Sequence, residues 1–211
     1  MDKNPISTQT LRRLPVYLDH LRTVTTPRIS ATAIAAALGL SEIQVRKDLA
    51  SISGGGRPGV GYETEALIVD ISHYLGYDRR VKAVLVGAGN LGRALAGYGG
   101  FSRCGLDIAA AFDADPRLNG DDIGQIKVHP MQELPEFCRK NQVQIGIITV
   151  PAKSAQEVCD ALAAGGVRAI WNFAPIHLSA PESVMVQNEN LVASLTVLSR
   201  RLTERLEKDH N

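Results

Sequence analysis

Apolar residues in the first third of the chain recur every three or four positions. Leu11, Leu14, Leu18 and Leu21 fall on one helical face, which predicts a first helix that Pro15 should kink or restart. Ser30 is placed to cap a second helix from Ala31 to Leu38, stopped by Gly39. A third helix begins at Ser41. There Gln44 follows the cap by three residues, so each side chain can satisfy a backbone N–H at the helix start. Two helices joined by a tight glycine-containing turn have the layout of a helix-turn-helix. Ser53 to Tyr62 is too rich in glycine for a helix and is bounded by residues that can pair as a small hairpin, the wing of a winged helix. A further amphipathic helix, Glu65 to Leu75, ends at Gly76.

Near residue 80 the pattern changes to short apolar runs alternating with helical ones. Val81–Val86, Ile108–Phe112, Val143–Val150 and Val167–Trp171 are strand candidates, with helical patterns at Leu91–Tyr98 and Ser154–Ala164 between them. Such alternation predicts an α/β fold with a Rossmann-type parallel sheet of βαβ units. The last pattern, Glu189 to Lys208, is a helix with Leu191, Leu195, Leu198, Leu202 and Leu206 on one face and nothing after it to cover them. Three regions are expected: a winged-helix domain at 1–78, a dinucleotide-binding domain at 79–187, and a C-terminal helix at 188–211 that pairs two chains.

The sharpest chemical signal is Gly87-Ala88-Gly89-Asn90-Leu91-Gly92, directly after an apolar run and opening a helical one. Gly87 would allow the tight turn, Gly89 would let backbone N–H groups approach a pyrophosphate, and Gly92 would let the helix pack close to the strand. Asp113 ends the next strand candidate about 20 residues on, where a carboxylate can accept both hydroxyls of an adenosine ribose. It would also repel a 2′-phosphate, which favours NAD over NADP, although Arg117 lies nearby. A purely structural glycine turn is the alternative. Thr149-Val150-Pro151 and Asn172-Phe173-Ala174-Pro175 close two strand candidates at the edge where open α/β sheets bind ligands; as simple turns they would need no ligand.

A second signal lies in the helix from Ser41. At 100° per residue, Val45, Leu49 and Ile52 share the core stripe, while Ile43, Gln44, Lys47 and Ser51 point away and Arg46 lies on a flank. With Ser41 at its start, this face suits the major groove of double-stranded DNA. Gln44 can pair with adenine, Ile43 can meet a thymine methyl, and Arg46 and Lys47 can reach phosphate or guanine. Arg57 can extend from the glycine-rich stretch into a minor groove. An ordinary solvated helix face and a flexible linker are the competing readings.

Composition narrows the partners. Of 211 residues 21% are charged, and the formal net charge is only +1, so any DNA surface must be a local patch. Three scattered cysteines, Cys104, Cys138 and Cys159, offer neither a disulfide framework nor metal-ligand spacing, and a reducing cytoplasm suits them. No apolar run of about 18 residues and no apolar leader is present, so neither a membrane nor export is expected. His73, His129 and His177 are scattered, and no catalytic constellation emerges.

In order along the chain, several motifs resemble the Rex family of redox-sensing transcriptional repressors. They are Val45-Arg-Lys-Asp-Leu49, Gly59-Val-Gly-Tyr62, Val86 to Gly92, Ala96-Gly-Tyr98, Gly100-Phe101, Phe112 to Pro116, Thr149 to Pro151, Asn172 to Pro175 and Leu198-Ser199. The resemblance covers nearly the whole chain. It implies a homodimeric repressor that holds a palindromic operator when NADH is scarce and releases it when NADH accumulates relative to NAD+, with a C-terminal helix exchanged between subunits. By the same resemblance, Gly87, Ala88, Gly89, Asn90, Leu91, Gly92 and Asp113 hold the adenosine diphosphate part. Thr149, Val150, Pro151 and Asn172 to Pro175 line the nicotinamide side, with Tyr98 near the domain junction. Arg46, Lys47 and Arg57 touch DNA, and Leu191, Leu195, Leu198 and Leu202 pair the subunits. The chain departs from the family at Ser51-Ile-Ser-Gly54, at Pro58, at Asp19, where an arginine is common, and at Asn190, where an aspartate often begins the last helix. A small NAD-dependent dehydrogenase with an accessory helical domain and a CoA-binding module are the alternatives.

Overall fold

In a computed structural model, residues 6–57 and 59–209 are described, except for the side chains of Leu191 and Asp209; Pro58 lies outside the described residues. The chain divides into two compact units, residues 1–79 and 80–211.

The first unit runs α1 (Thr8–Leu21), β1 (Arg28–Ile29), α2 (Ala31–Leu38), α3 (Glu42–Ile52), β2 (Tyr62–Glu63) and α4 (Thr64–Tyr74). Its core is Leu14, Tyr17, Leu18, Leu21, Ile34, Val45, Leu49, Leu67 and Ile71. Pro15 neither kinks α1 into two helices nor restarts it: α1 is one element with Pro15 inside. The carbonyl that Pro15 cannot serve belongs to Leu11, itself exposed, so water can take the missing bond while Leu14, Tyr17 and Leu18 bury the helix. Leu11 is therefore not a core residue. Ser30 caps α2 by accepting from Ala33 N at 3.0 Å, and Gly39 ends it in the left-handed region. The expected reciprocal cap at Ser41 and Gln44 is absent, since Ser41 makes no side-chain cap bond. Gln44 turns toward α1 instead, where a guanidinium competes for its carboxamide. The wing also differs from a self-contained hairpin. Arg57 and Gly61 exchange backbone bonds at 3.0 Å to close a tight tip, but Ile29 and Tyr62 pair antiparallel, so the returning strand is held by β1.

The second unit runs β3 (Val81–Val86), α5 (Asn90–Ala96), α6 (Gly100–Arg103), β4 (Leu106–Asp113), β5 (Asp122–Ile123), β6 (Ile126–Pro130), α7 (Leu134–Asn141), β7 (Ile145–Ile148), α8 (Ala152–Ala164), β8 (Ala169–Asn172), β9 (Met185–Asn188) and α9 (Leu191–Asp209). Seven strands form one sheet in the order β5-β6-β4-β3-β7-β8-β9, parallel apart from the β5–β6 pair. Because side chains alternate along a strand, β3 sends Val84 and Val86 into one core with Leu134, Cys138 and Val158, and Ala83 and Leu85 into another with Ala111 and Ile147. Both faces are thus covered, which is why its sequence reads as a nearly continuous apolar run. Chain order reverses direction at β3, with β4 on one side and β7 on the other, and the crevice at this switch point opens at the carboxyl ends of the strands. Helix α9 begins at Leu191, the first residue of its leucine pattern and two residues after the expected start at Glu189, and every described side chain from Val192 to Lys208 is exposed. Cys138 and Cys159 are buried, and burial pushes the Cys138 thiol up to about 11, whereas Cys104 is exposed.

Candidate functional site

The turn after β3 is shaped by what is missing from it. Gly87 has φ 106°, and a Cβ there would lie 2.8 Å from Thr149 Oγ1 and 2.9 Å from the Thr149 backbone. At Gly92 a Cβ would sit 1.9 Å from the Gly87 carbonyl oxygen, so the first turn of α5 can close on the strand end only as glycine. Gly89 differs: a Cβ there would meet no protein atom within 4 Å, which leaves the outer side of the turn open. Thr149 clamps this arrangement. Its backbone N–H donates to the Val86 carbonyl at 2.8 Å, and its hydroxyl donates to the Gly87 carbonyl at 2.8 Å.

Asp113, at the end of β4, accepts from Ala88 N at 2.7 Å through Oδ2 and from Asp115 N at 2.8 Å through Oδ1. Each oxygen keeps a second acceptor position. Arg117, the cation expected to moderate the preference for NAD, is taken up by Asp115 through bonds of 2.7 to 3.1 Å. The Arg117 hydrogen bonds hold the Asp115 carboxyl down at about 2, against an ordinary 3.8.

A cleft of about 560 Å³ lies at the switch point and brings Gly87, Gly89, Asp113, Thr149, Val150 and Pro151 together. Met131, Gln132, Ser154 and Glu157 also line it, and the sequence reading missed all four. The alternating segment Ile126 to Pro130, apolar at Ile126 and Val128, is the available signal for the first of these, since it ends beside Asp113 once β6 pairs with β4.

Not every expected residue reaches that cleft. Asn172 is wholly buried: its Nδ2 donates to the carbonyls of Ala174 and Ile176 and to Asn188 Oδ1, and its Oδ1 accepts from Ala174 N. Its side chain braces the loop through Pro175 and does not present itself to a ligand. Ala174 is buried beneath it, Pro175 is exposed, and neither lines the cleft. Tyr98 and Phe173 stand at the two ends of an aromatic row on the sheet, Tyr98 to Phe101 to Trp171 to Phe173, with ring centroids 5.0, 5.7 and 4.7 Å apart. Trp171 Nε1 donates to Glu189 at 2.8 Å, which ties this row to the root of α9.

In the first unit, Ser41 just before α3 and Ile43, Gln44, Arg46 and Lys47 on it are all exposed, and Ile43 is 81% exposed. Ser51, expected on the same face, is half-buried and donates its hydroxyl to the Asp48 carbonyl. Arg46 pairs with Glu42 and shares a cleft of about 390 Å³ with Arg57, Gly59 and the Ser30–Thr32 start of α2. The face is anchored by a residue the sequence reading passed over. Buried Asp48 accepts from Thr10 Oγ1 (3.0 Å), Arg13 Nε and Nη2 (2.8 and 2.9 Å) and Tyr17 Oη (2.8 Å). Burial opposes its charge, but the bonds from Arg13, Tyr17 and Thr10 outweigh it and hold the carboxyl below its usual range. Burial and then the bond to Asp48 push Tyr17 up to about 12.

Helix α9 carries Leu195, Leu198 and Leu202 on one exposed face, 64, 63 and 55% accessible. Leu191 starts the helix, but its side chain lies outside the described residues. Asn190 Oδ1 accepts from Ala193 N at 3.0 Å, capping the helix. Asp19, the other departure from the family pattern, lies 3.9 Å from Arg22 on its own helix.

Comparison with known proteins agrees with both regions. Residues 78–176 match a family described as "CoA binding domain", and residues 5–50 one described as "Putative DNA-binding protein N-terminus". Over 206 residues the chain is 43% identical to the redox-sensing transcriptional repressor Rex of Clostridium botulinum (strain Alaska E43 / Type E3), covering 96% of this chain and 98% of the relative. It is 41% identical to Rex of Clostridioides difficile (strain 630), over 94% and 96% of the two chains. A solved structure of RSP in complex with β-NAD+ and operator DNA superposes with a TM-score of 0.89 at 36% identity, covering 98% of this chain and 97% of that one. RSP in complex with β-NADH gives 0.86 at 35%, covering 99% and 100%. The CoA-binding match spans less than half of the chain, whereas the likeness to repressors spans nearly all of it, which decides against the dehydrogenase and CoA-module alternatives. The chain belongs to the Rex family of redox-sensing transcriptional repressors.

Proposed function

We propose that this repressor, which is not an enzyme, senses the NADH/NAD+ ratio through the cleft at Gly87, Gly89 and Asp113 and acts on double-stranded operator DNA through α3 and the wing. The observation that carries this reading is the convergence of a Cβ-free turn, a half-used carboxylate and the Thr149–Pro151 strand end in one cleft at the sheet's switch point. Backbone N–H groups of Gly87 to Gly92 hold the pyrophosphate, since the side of the turn at Gly89 is open. The spare acceptor positions of Asp113 take the ribose hydroxyls. A 2′-phosphate would meet Asp113 with Arg117 already engaged, so NAD is preferred to NADP.

NADH carries a neutral dihydropyridine and NAD+ a cationic pyridinium, so discrimination arises where the ring lies. Val150 and Pro151 line the cleft there, with Tyr98, Phe173 and Leu191 of a second chain completing an apolar wall that disfavours the charged ring. Leu191, Leu195, Leu198 and Leu202 of α9 pair two chains into a homodimer with the helices exchanged, and residues 1–78, 79–187 and 188–211 are the reading, sensing and pairing regions. A dimer presents two α3 helices, which suits a palindromic operator in the cytoplasm.

Low NADH leaves the operator bound, and NADH releases it by binding better to a state whose α3 helices no longer match the half-sites. Moving a population from 1:99 to 99:1 takes about 5.5 kcal/mol of differential binding, summed over both sites. The test is retention of a duplex site, selected with this protein, during titration with each cofactor. Release by NADH at concentrations where NAD+ has little effect is expected; equal effects of the two would leave a cofactor-binding DNA binder that does not sense redox state.

A further inference from the structure

Gln44 and Asp48 stand one turn apart on α3, and Arg13 of α1 reaches both. Its Nε and Nη2 donate to Asp48 at 2.8 and 2.9 Å, while the Gln44 carboxamide lies 3.2 Å from both Nη1 and Nη2. A guanidinium has donors and no acceptor, so only the carboxamide oxygen can occupy that place. The NH2 group of Gln44 is thereby left on the exposed side of α3. Thr10 and Tyr17 take the remaining acceptor positions of Asp48, so the carboxylate is fully engaged and Arg13 is fixed at its inner edge.

We infer that Arg13 is a specificity-positioning residue: anchored on Asp48, it holds the Gln44 oxygen and makes Gln44 a donor-only reader of the major groove. The inference rests on the docking of α3 proposed above. A free glutamine pairs with adenine through both ends of its carboxamide, accepting from N6 and donating to N7. With the oxygen engaged, Gln44 can meet only acceptors, such as guanine O6 and N7 or thymine O4, and it gains nothing from cytosine, whose groove edge is a donor. Two-ended pairing with adenine, expected from the residue type alone, is replaced by a different preference at one position of each half-site.

Arg13→Lys and Gln44→Glu separate the cases. Lysine keeps a cation beside Asp48 but has no fork to hold a second acceptor. Glutamate keeps an oxygen on Arg13 and turns an acceptor outward. Full-length wild type, both variants and Lys47→Ala are each used to select duplexes from a random pool, and affinities are then measured for single-base-pair changes of the selected site. Arg13→Lys is expected to gain about tenfold preference for adenine at one position per half-site, and Gln44→Glu to switch that same position toward cytosine. Melting curves identify a variant that fails to fold, and exposed Gln44→Glu then carries the test alone. If base preference is unchanged in both variants, or falls uniformly at all positions, while Lys47→Ala weakens binding, the inference is wrong and the docking stands. If neither Lys47→Ala nor Gln44→Glu alters affinity, the docking is wrong and the inference falls with it.

Discussion

At the α3 face a buried carboxylate takes four hydrogen bonds from three residues of α1, whereas the turn after β3 depends on two positions where a Cβ would collide with backbone. Charge and long side chains position the first region. Their absence positions the second. A site built from side chains can be retuned by exchanging one of them, and its stability depends on pH because its members titrate. A turn fixed by close backbone approach has no such setting, and at Gly87 and Gly92 it tolerates no added atom. On the function proposed for the two regions the division suits their tasks: operators differ in base sequence, whereas a pyrophosphate is always the same.

The largest expected effect breaks the first region. Asp48→Ala removes the carboxylate from Arg13, whose side chain is 20% exposed, and the acceptor of the buried Tyr17 hydroxyl, and should cost about 3–5 kcal/mol, as loss of one partner from a buried ion pair does. Chemical denaturation followed by operator titration checks this; NADH affinity should persist wherever the protein is folded. A loss below about 1 kcal/mol would place the network among surface ion pairs.

Gly92→Ala is the matching break in the second region. A methyl group 1.9 Å from the Gly87 carbonyl forces the turn open, at about 1–3 kcal/mol of overpacking, and should abolish NADH binding in calorimetry while leaving cofactor-free operator binding intact. If Gly92→Ala bound NADH normally, the turn would not be the pyrophosphate site.

These two regions were unequally legible in the sequence, for a physical reason. The glycine turn is a local feature: strand, turn, helix and Asp113 lie within one βαβ unit, and each glycine reports a backbone demand at its own position. Strands β3, β4, β7 and β8 were readable because burial on both faces makes them apolar runs, whereas two-residue β5 and edge strand β9 bury too little to leave a pattern. Asp48 belongs to a motif that was noticed, yet its partner Arg13 lies 35 residues upstream, and no spacing rule links a carboxylate to an arginine on another helix. The spacing of Gln44 suggests a cap, but the guanidinium of Arg13 offers its carboxamide oxygen two charged donors in place of the backbone N–H at the helix start. Asn172 looked like a ligand contact because it follows a strand; only its complete set of internal bonds reveals a brace.

A pH titration sharpens the contrast further. Asp48 has a depressed pKa in the folded state, so its contribution is present above the ordinary carboxylate range and is lost as pH falls through the folded value. Tyr17 is raised to about 12, so its contribution is complete below 10 and is lost as pH rises from 10 through 12. Tyr17→Phe should therefore flatten the alkaline limb of the stability profile between those values. At neutral pH it should cost about 1.5–3 kcal/mol for a hydrogen bond to a charged group. An alkaline limb that is unchanged in Tyr17→Phe would assign the loss to other groups.

The smallest effect lies at Asn190, where a single capping bond starts α9. Asparagine and aspartate are comparable caps, so the family's frequent aspartate and this chain's asparagine can do the same work at the helix start, whatever else a charge there contributes. Asn190→Ala removes the bond to Ala193 N and should cost about 1 kcal/mol of α9 stability, whereas Asn190→Asp should cost nothing and gain slightly from the negative charge at the helix N-terminus. If α9 pairs two chains, frayed helices must be reordered on association. Both copies bear the loss, so Asn190→Ala should weaken the dimer by about 2 kcal/mol, roughly thirtyfold, in sedimentation at varied concentration. Deleting residues 188–211 should abolish the dimer altogether. A deletion that still sediments as a dimer would show that α9 is not the pairing element. A dimer weakened equally by Asn190→Ala and Asn190→Asp would show that the carboxamide itself, and not the cap, is what matters at this position.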